Sequence, residues 1–200
     1  MMDRRFAAVL VLASLVPWAS PTLAECLTEV AARQGFVLTS SDGRNRLEIQ
    51  PSSDDMVSYK LFVGGKLAST PTYYRGFFLA RVDYDNGTSV TPTYDFDYLK
   101  EPVPDVGYHK AFQITLPAPN GQSVTVTVDN RIVGHESIAI GDCSLDTLVI
   151  EGQTTNANGA VQKRRANFSP LLRMYLRMTM TNGDAPPTNV AYTQIEPLSR

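Results

Sequence analysis

The sequence has few of the residues that most metal and catalytic sites require. Its 200 residues include two cysteines, two histidines and one tryptophan. Because the chain has no C-x-x-C pair and only His109 and His135, neither a zinc site nor a catalytic thiol is expected. The G-x-S-x-G motif of α/β-hydrolases is also absent. The sequence therefore predicts no cofactor and no metal.

An excess of charge of one sign is lacking as well. The whole chain carries a formal net charge of −2. Residues 1–24 contain two arginines and one aspartate, so the remainder has 16 basic and 19 acidic residues and a net charge of −3. Nucleic-acid-binding proteins usually carry a basic surface. Nucleic acid is therefore not expected as a partner.

A long apolar run occurs only near the N-terminus. Two arginines precede the run 6–16, and a small-residue site that ends at Ala24 follows it. This pattern predicts a signal peptide over 1–24. A membrane anchor needs about 20 apolar residues, and this run ends at Pro17, so no transmembrane span is expected in the mature chain, 25–200. Export predicts a periplasmic location, with secretion as the alternative.

The mature chain is long enough for a single domain with one hydrophobic core. It contains both cysteines, Cys26 and Cys143. An exported protein folds in an oxidising compartment, so we predict a disulfide between them. This bond would tie the start of the mature chain to its second half.

The mature sequence has the pattern of an antiparallel β protein. Segments rich in Val, Ile, Thr, Phe and Tyr recur about every 8 to 12 residues with turn signals between them. We predict an all-β, single-domain fold, either a barrel-like sheet or a two-layer sandwich, with Leu27–Gln34 as a candidate short helix. The tail around 190–195, flanked by prolines, is predicted to be an edge strand or a strap. The predicted strands are 36–39, 47–50, 56–63, 77–84, 88–98, 111–116, 123–133, 135–140, 145–154 and 161–168.

The segment 169–180, SPLLRMYLRMTM, has two interpretations. Ser169 and Pro170 would start a helix well, and the following residues are good helix formers. From Leu172 to Met180 the segment also alternates, with leucine or methionine at even positions and polar or aromatic side chains at odd positions. Its neighbours are predicted strands and Asn182-Gly183 ends it as a turn would, so the strand is preferred over the helix.

A basic cluster near this segment is the strongest candidate binding site. Lys163 and Arg165 lie on one predicted strand, and Arg173 and Arg177 on the next, with Tyr175 between them. Like charges on paired strands cost stability unless an anion screens them. The cluster therefore predicts a site for an anionic lipid or glycan, and the alternative is a solvated outer face.

Asp95 and Asp97 are the other candidate site. They are two residues apart on a predicted strand, so they share a face, and aromatic residues alternate with them. Paired carboxylates can act as acid and base on a glycosidic bond. Inward aromatics and solvated aspartates explain the same pattern without catalysis.

The sequence thus predicts an exported cell-envelope protein without catalytic activity. It would bind an anionic or amphipathic ligand, or an envelope partner protein, through the basic face or the interior of the sheet. The alternative is a hydrolase of envelope glycan that uses Asp95 and Asp97.

Overall fold

A computed structural model describes residues 34–50, 55–117 and 122–198 of the chain. All described strands pair antiparallel in one 13-stranded sheet, which confirms the predicted all-β fold. One turn of 3₁₀ helix, Tyr98–Lys100, interrupts them. The strands are β1 (Phe36–Ser40), β2 (Asn45–Ile49), β3 (Met56–Val63), β4 (Lys66–Tyr74), β5 (Phe78–Tyr84), β6 (Ser89–Val90), β7 (Thr93–Tyr94), β8 (His109–Pro117), β9 (Ser123–Ile140), β10 (Cys143–Asn156), β11 (Val161–Ser169), β12 (Met174–Asn182) and β13 (Thr188–Pro197).

The sheet has two halves that share β13. Strands β1 to β6 form one half in sequence order and β7 to β12 the other, and β13 pairs with both β1 and β12. At the far ends, β6 and β7 are separated by two residues in sequence but form no backbone ladder with each other. Side chains join the halves there: the Tyr94 hydroxyl donates to the carbonyl of Leu79 at 2.9 Å. We call the boundary between β5–β6 and β7–β8, which has no backbone ladder across it, the seam.

Two apolar clusters fill the space between the halves. One contains Phe36, Leu38 and Leu176, and the other is mainly aromatic and contains Phe77, Phe112 and Phe168. Strand β10 contributes Leu145 to the first cluster and Leu148 and Ile150 to the second. Its segment Thr147–Ile150 is buried at every position. A strand that is covered on both faces has a nearly continuous apolar sequence rather than alternating apolar and polar residues. The sequence TLVI in β10 has this form.

The segment 169–180 contains no helix, and its larger part, from Met174 onward, is a strand, as preferred from the sequence. Residues 170–173 form a turn, and β12 begins at Met174. The predicted alternation is wrong at the start of the segment, because Arg173 lies in the turn with a positive φ of 53°. The turn packs closely on a neighbouring one: a Cβ on Gly76 would lie 1.8 Å from the carbonyl oxygen of Arg173.

Strand β4 was not predicted, and its proline explains why. Pro71 lies in the middle of β4, and an internal proline normally argues against a strand because it cannot donate to the ladder. Here the β3–β4 register skips this point, since Ser58 pairs with Thr72 and the next pair in the ladder is Leu61 with Ser69. Pro71 is thus accommodated at a gap in the ladder.

Three further sequence-based expectations are corrected. The tail is neither an edge strand nor a strap, because β13 lies at the centre of the sheet order and joins its halves. The predicted strand 88–98 is broken into β6, β7 and the 3₁₀ turn, with Pro92 at the break. The two predicted strands on either side of Gly134 form one 18-residue strand, β9. A register shift in the β9–β10 ladder beside Gly134 absorbs the irregularity.

Some predictions lie outside the described residues. The signal peptide over 1–24 and the helix Leu27–Gln34, apart from Gln34 itself, are among them. Cys143 is buried, but Cys26 is not described, so the disulfide stays a prediction. Within the described ranges, no helix has the length and apolar character needed to cross a bilayer.

Candidate functional site

A cavity of about 320 Å³ lies between the two apolar clusters. Leu47 of the first cluster and Phe77 of the second both line it, together with Met174 and Met178 of β12. No carboxylate is among its described lining residues. Its polar groups are Asn130, the guanidinium groups of Arg164 and Arg177, and the phenols of Tyr59, Tyr73, Tyr94, Tyr175 and Tyr192.

Arg164 reaches into this cavity from β11. Its Nη2 donates to Oδ1 of Asn130 on β9 at 2.9 Å, and its guanidinium carbon lies 5.5 Å from the centre of the Tyr175 ring. Its Nε is buried and has no hydrogen-bond acceptor among the residues that the structure describes. A buried guanidinium N–H without an acceptor is costly and uncommon. Arg164 is therefore the most unusual polar group in the cavity.

Gly152 of β10 makes room for this arrangement. It lies between Asn130 and Arg164 in the register of the sheet. A Cβ at this position would lie 2.5 Å from Oδ1 of Asn130 and 3.4 Å from Nη2 of Arg164. The side chain of any other residue would clash with the Asn130 oxygen that accepts the hydrogen bond from Arg164, which links β9 to β11. The glycine leaves the space in which Arg164 crosses β10.

The tyrosine hydroxyls of the cavity stay protonated well into the alkaline range. Burial raises the pKa of Tyr192 to about 12. Burial also raises the pKa of Tyr59, Tyr73 and Tyr175, and the positive charge of Arg164 opposes the rise at Tyr73 and Tyr175. Tyr59 and Tyr73 stack with ring centres 5.6 Å apart. The tyrosines of the wall are thus uncharged, and their hydroxyls can both donate and accept hydrogen bonds.

The predicted basic cluster is divided among three places. Lys163 and Arg165 line an open depression of about 400 Å³ on the outer face of the sheet, opposite Thr181 and Thr179. Arg165 forms a 2.7 Å ion pair with Glu151 there. The like charges that the sequence placed across from each other are therefore not directly opposed.

The other members of the cluster lie elsewhere. Arg173 is in the 170–173 turn. Arg177 lines the cavity and contacts Glu136 at 3.3 Å. Tyr175 points toward Phe77 and Phe168 rather than lying between the arginines, because a register shift in β11–β12 places it opposite Phe168. The structure brings Tyr175 and Arg177 to the cavity and leaves Lys163 and Arg165 outside it.

Asp95 and Asp97 are both exposed, in the segment that follows β7. The Asp97 carboxylate caps the 3₁₀ turn by accepting from the Leu99 amide at 3.2 Å, and it pairs with Lys100 at 3.0 Å. The hydrogen bond from Lys100 lowers the pKa of Asp97. An ionised, capped carboxylate suits a structural role better than that of a general acid.

The sequence-based prediction did not include Arg164, although the sequence contains a pattern that points to it. Lys163, Arg164 and Arg165 are consecutive on a strand, so the middle residue must face opposite to its neighbours. If the outer two are solvated, the third is a charged residue at an inward position. Such a residue is rarely buried without a purpose.

Comparisons with known proteins identify the fold and no function. Neither a protein-family profile nor a curated protein matches the sequence. A crystal structure of YmcC, described as a hypothetical lipoprotein of Escherichia coli K12, is similar with a TM-score of 0.50 and 9% identity over 85% of this chain and 90% of YmcC. A protein of Bacteroides fragilis, described as a putative exported protein with a YmcC-like fold, gives a TM-score of 0.48 and 11% identity over 81% of this chain and 93% of its own. The likeness to YmcC is one of fold alone.

Proposed function

We propose that this chain is an exported, non-catalytic protein of the cell envelope that holds an anionic, amphipathic ligand in the cavity between the halves of its sheet. The observation that carries the proposal is the composition of the cavity wall. Apolar and aromatic side chains surround an arginine whose buried Nε–H has no acceptor among the described residues, and no described lining residue is a carboxylate. Small-molecule sites typically combine an apolar wall with a few polar groups that fix orientation.

Two observations support the proposed location in the cell envelope. The N-terminal residues have the order of a signal peptide, with basic residues, an apolar run and a small-residue cleavage site. YmcC, the protein of similar fold, is described as a lipoprotein. We place this chain in the periplasm, with secretion as the alternative. The ligand is an amphipathic molecule such as an anionic lipid fragment, and the alternative occupant is a segment of an envelope protein.

A pair of tryptophan substitutions on β12 tests whether the ligand enters the cavity. Met178 lines the cavity, whereas its neighbour Thr179 lines the outer depression. The mature chain 25–200 contains no tryptophan, because the only one is Trp18. Each variant therefore carries one fluorescent reporter. The probe is 8-anilinonaphthalene-1-sulfonate, an anionic amphiphile, titrated into the mature protein.

We expect Met178→Trp to weaken probe binding by about tenfold or more, because the larger ring occupies the cavity. Thr179→Trp should bind the probe as the unsubstituted protein does. Circular dichroism on both variants checks that the sheet is intact. If Thr179→Trp alone lost binding, the site would be the outer depression beside Lys163 and Arg165, and the cavity proposal would fail.

A further inference from the structure

We propose that the Arg164 guanidinium binds the carboxylate of the ligand and that the cavity selects monocarboxylates with an apolar alkyl or aryl group. This inference rests on the proposed function and specifies the chemistry of the same site. Three observations support it: the Arg164 donor that lacks an acceptor among the described residues, the charge of the cavity and the nature of its walls.

The first observation is the state of the Arg164 donors. Asn130 accepts from Nη2 at 2.9 Å and so fixes the plane of the guanidinium. The buried Nε is left without an acceptor among the described residues. The donors of a guanidinium lie in one plane as a fork that matches the two oxygens of a carboxylate. A carboxylate at this edge would supply the missing acceptor.

The second observation is the charge of the cavity. Its two lining cations are Arg164 and Arg177, and Arg177 is already paired with Glu136. Arg164 pairs with no carboxylate in the described part of the chain. One negative charge on the ligand would therefore balance the site. A dianionic phosphate would leave a second charge in apolar surroundings, which is costly.

The third observation concerns the rest of the ligand. Phe77, Phe112 and Met178 line the cavity with the stacked Tyr59–Tyr73 pair, so most of its surface suits an alkyl or aryl group. Its volume of about 320 Å³ is at the small end of small-molecule sites. It fits a medium-chain or aryl carboxylate and is too small for a two-chain lipid or a long oligosaccharide.

Three eight-carbon probes separate the charge of the ligand from its apolar body. Octanoate, 1-octanol and octylamine are titrated into the mature protein at pH 7.5 by calorimetry. We expect octanoate to bind about tenfold or more tightly than octanol, since a charge-assisted hydrogen bond to Arg164 is gained. Octylamine should bind most weakly, because it places a cation beside Arg164.

Substitutions of Arg164 then test its role, with Arg165 as the matched control on the outer face. Arg164→Gln should remove the preference for octanoate over octanol and leave octanol affinity within about twofold. Arg164→Lys keeps the charge but not the fork and should restore only part of the preference. Arg165→Gln should behave as the unsubstituted protein. Circular dichroism again reports whether each variant is folded.

A measurement on the unsubstituted protein covers the case in which Arg164 variants fail to fold. In ¹⁵N-labelled protein, the Arg164 Nε–H resonance should shift on addition of octanoate and should stay in place with octanol. Octanol binding as tightly as octanoate, or an Nε–H resonance unmoved by bound octanoate, would overturn the carboxylate inference and leave the cavity proposal standing. Binding of none of the three probes would overturn both.

Discussion

The two faces of strands β10 and β11 use the same kind of residue in opposite ways. On the outer face, Lys163 and Arg165 lie in an open depression, and Arg165 is balanced by Glu151. Arg164 lies between them in sequence and borders this depression, but it also lines the aromatic cavity of the inner face, and its buried Nε has no acceptor among the described residues. Three consecutive basic residues thus include two exposed side chains and one that is partly buried. The number of charges in a run is less informative than the alternation of the strand that carries them.

The largest expected contrast between the faces is in stability. Ile150 is fully buried, and its neighbour Glu151 has a side chain that is 55% exposed. Ile150→Ala should lower the free energy of unfolding by about 2–5 kcal/mol, because it leaves a cavity in the aromatic cluster. Glu151→Ala should change it by less than about 1 kcal/mol, since it removes only an exposed ion pair. Urea denaturation of both variants measures the difference, and equal losses would mean that the assigned faces are wrong.

Alkaline pH should act on the inner face alone. The pKa of Tyr192 is raised to about 12, so this phenol keeps its proton in the folded state while an unfolded tyrosine loses its proton near pH 10. A raised folded pKa contributes stability that is complete below pH 10 and is lost between pH 10 and about 12. We expect unfolding free energy to fall over this window by up to about 1.4 kcal/mol per pH unit for each such tyrosine. Urea titrations at pH 8 to 12 measure the slope, and the Tyr192→Phe variant should show a smaller slope than the parent protein.

The smallest contrast concerns the glycine that separates Asn130 from Arg164. Gly152→Ala should cost about 1–3 kcal/mol, because the new methyl group meets the buried Asn130 side chain. It should also weaken octanoate binding by displacing the Arg164 guanidinium. Gly134→Ala is the matched control, since a Cβ there meets nothing within 4 Å. Equal stability of the two alanine variants in thermal denaturation would argue against a close fit at Gly152.

The sequence predicted the fold class well because alternation and turn residues are local signals. The recurrence of strand-forming segments between turn signals, and the Asn182-Gly183 turn that ends the segment 169–180, needed no distant contact to be recognised. The errors fall where distant contacts decide. Strand β4 contains Pro71, and the gap in the ladder that accommodates this proline depends on the register with β3. The flanking prolines made β13 look like an edge strand, because its pairing with the distant strand β1 has no local signal.

The candidate site could be predicted only in part for a related reason. A cluster of arginines and a tyrosine in 163–177 was visible in the sequence, and two of its members, Tyr175 and Arg177, line the cavity. Which face each residue occupies depends on the bulge between β11 and β12, which has no local signature here. Asn130 and Gly152 were not recognised at all, because their role arises only when three strands are placed side by side.

The seam has a consequence for how a molecule could reach the interior. The other neighbouring strands of the described sheet are joined by backbone hydrogen bonds. Along the seam, the contacts are between side chains: the rings of Phe78 and Phe112 have centres 6.2 Å apart, and the Tyr94 hydroxyl donates to a backbone carbonyl. Rings can rotate apart without unravelling a strand, whereas a ladder must break several bonds together. Thermal fluctuation would therefore separate the strands first along the seam. The rate at which a solute enters or leaves the interior would then depend on the motion of a few aromatic side chains.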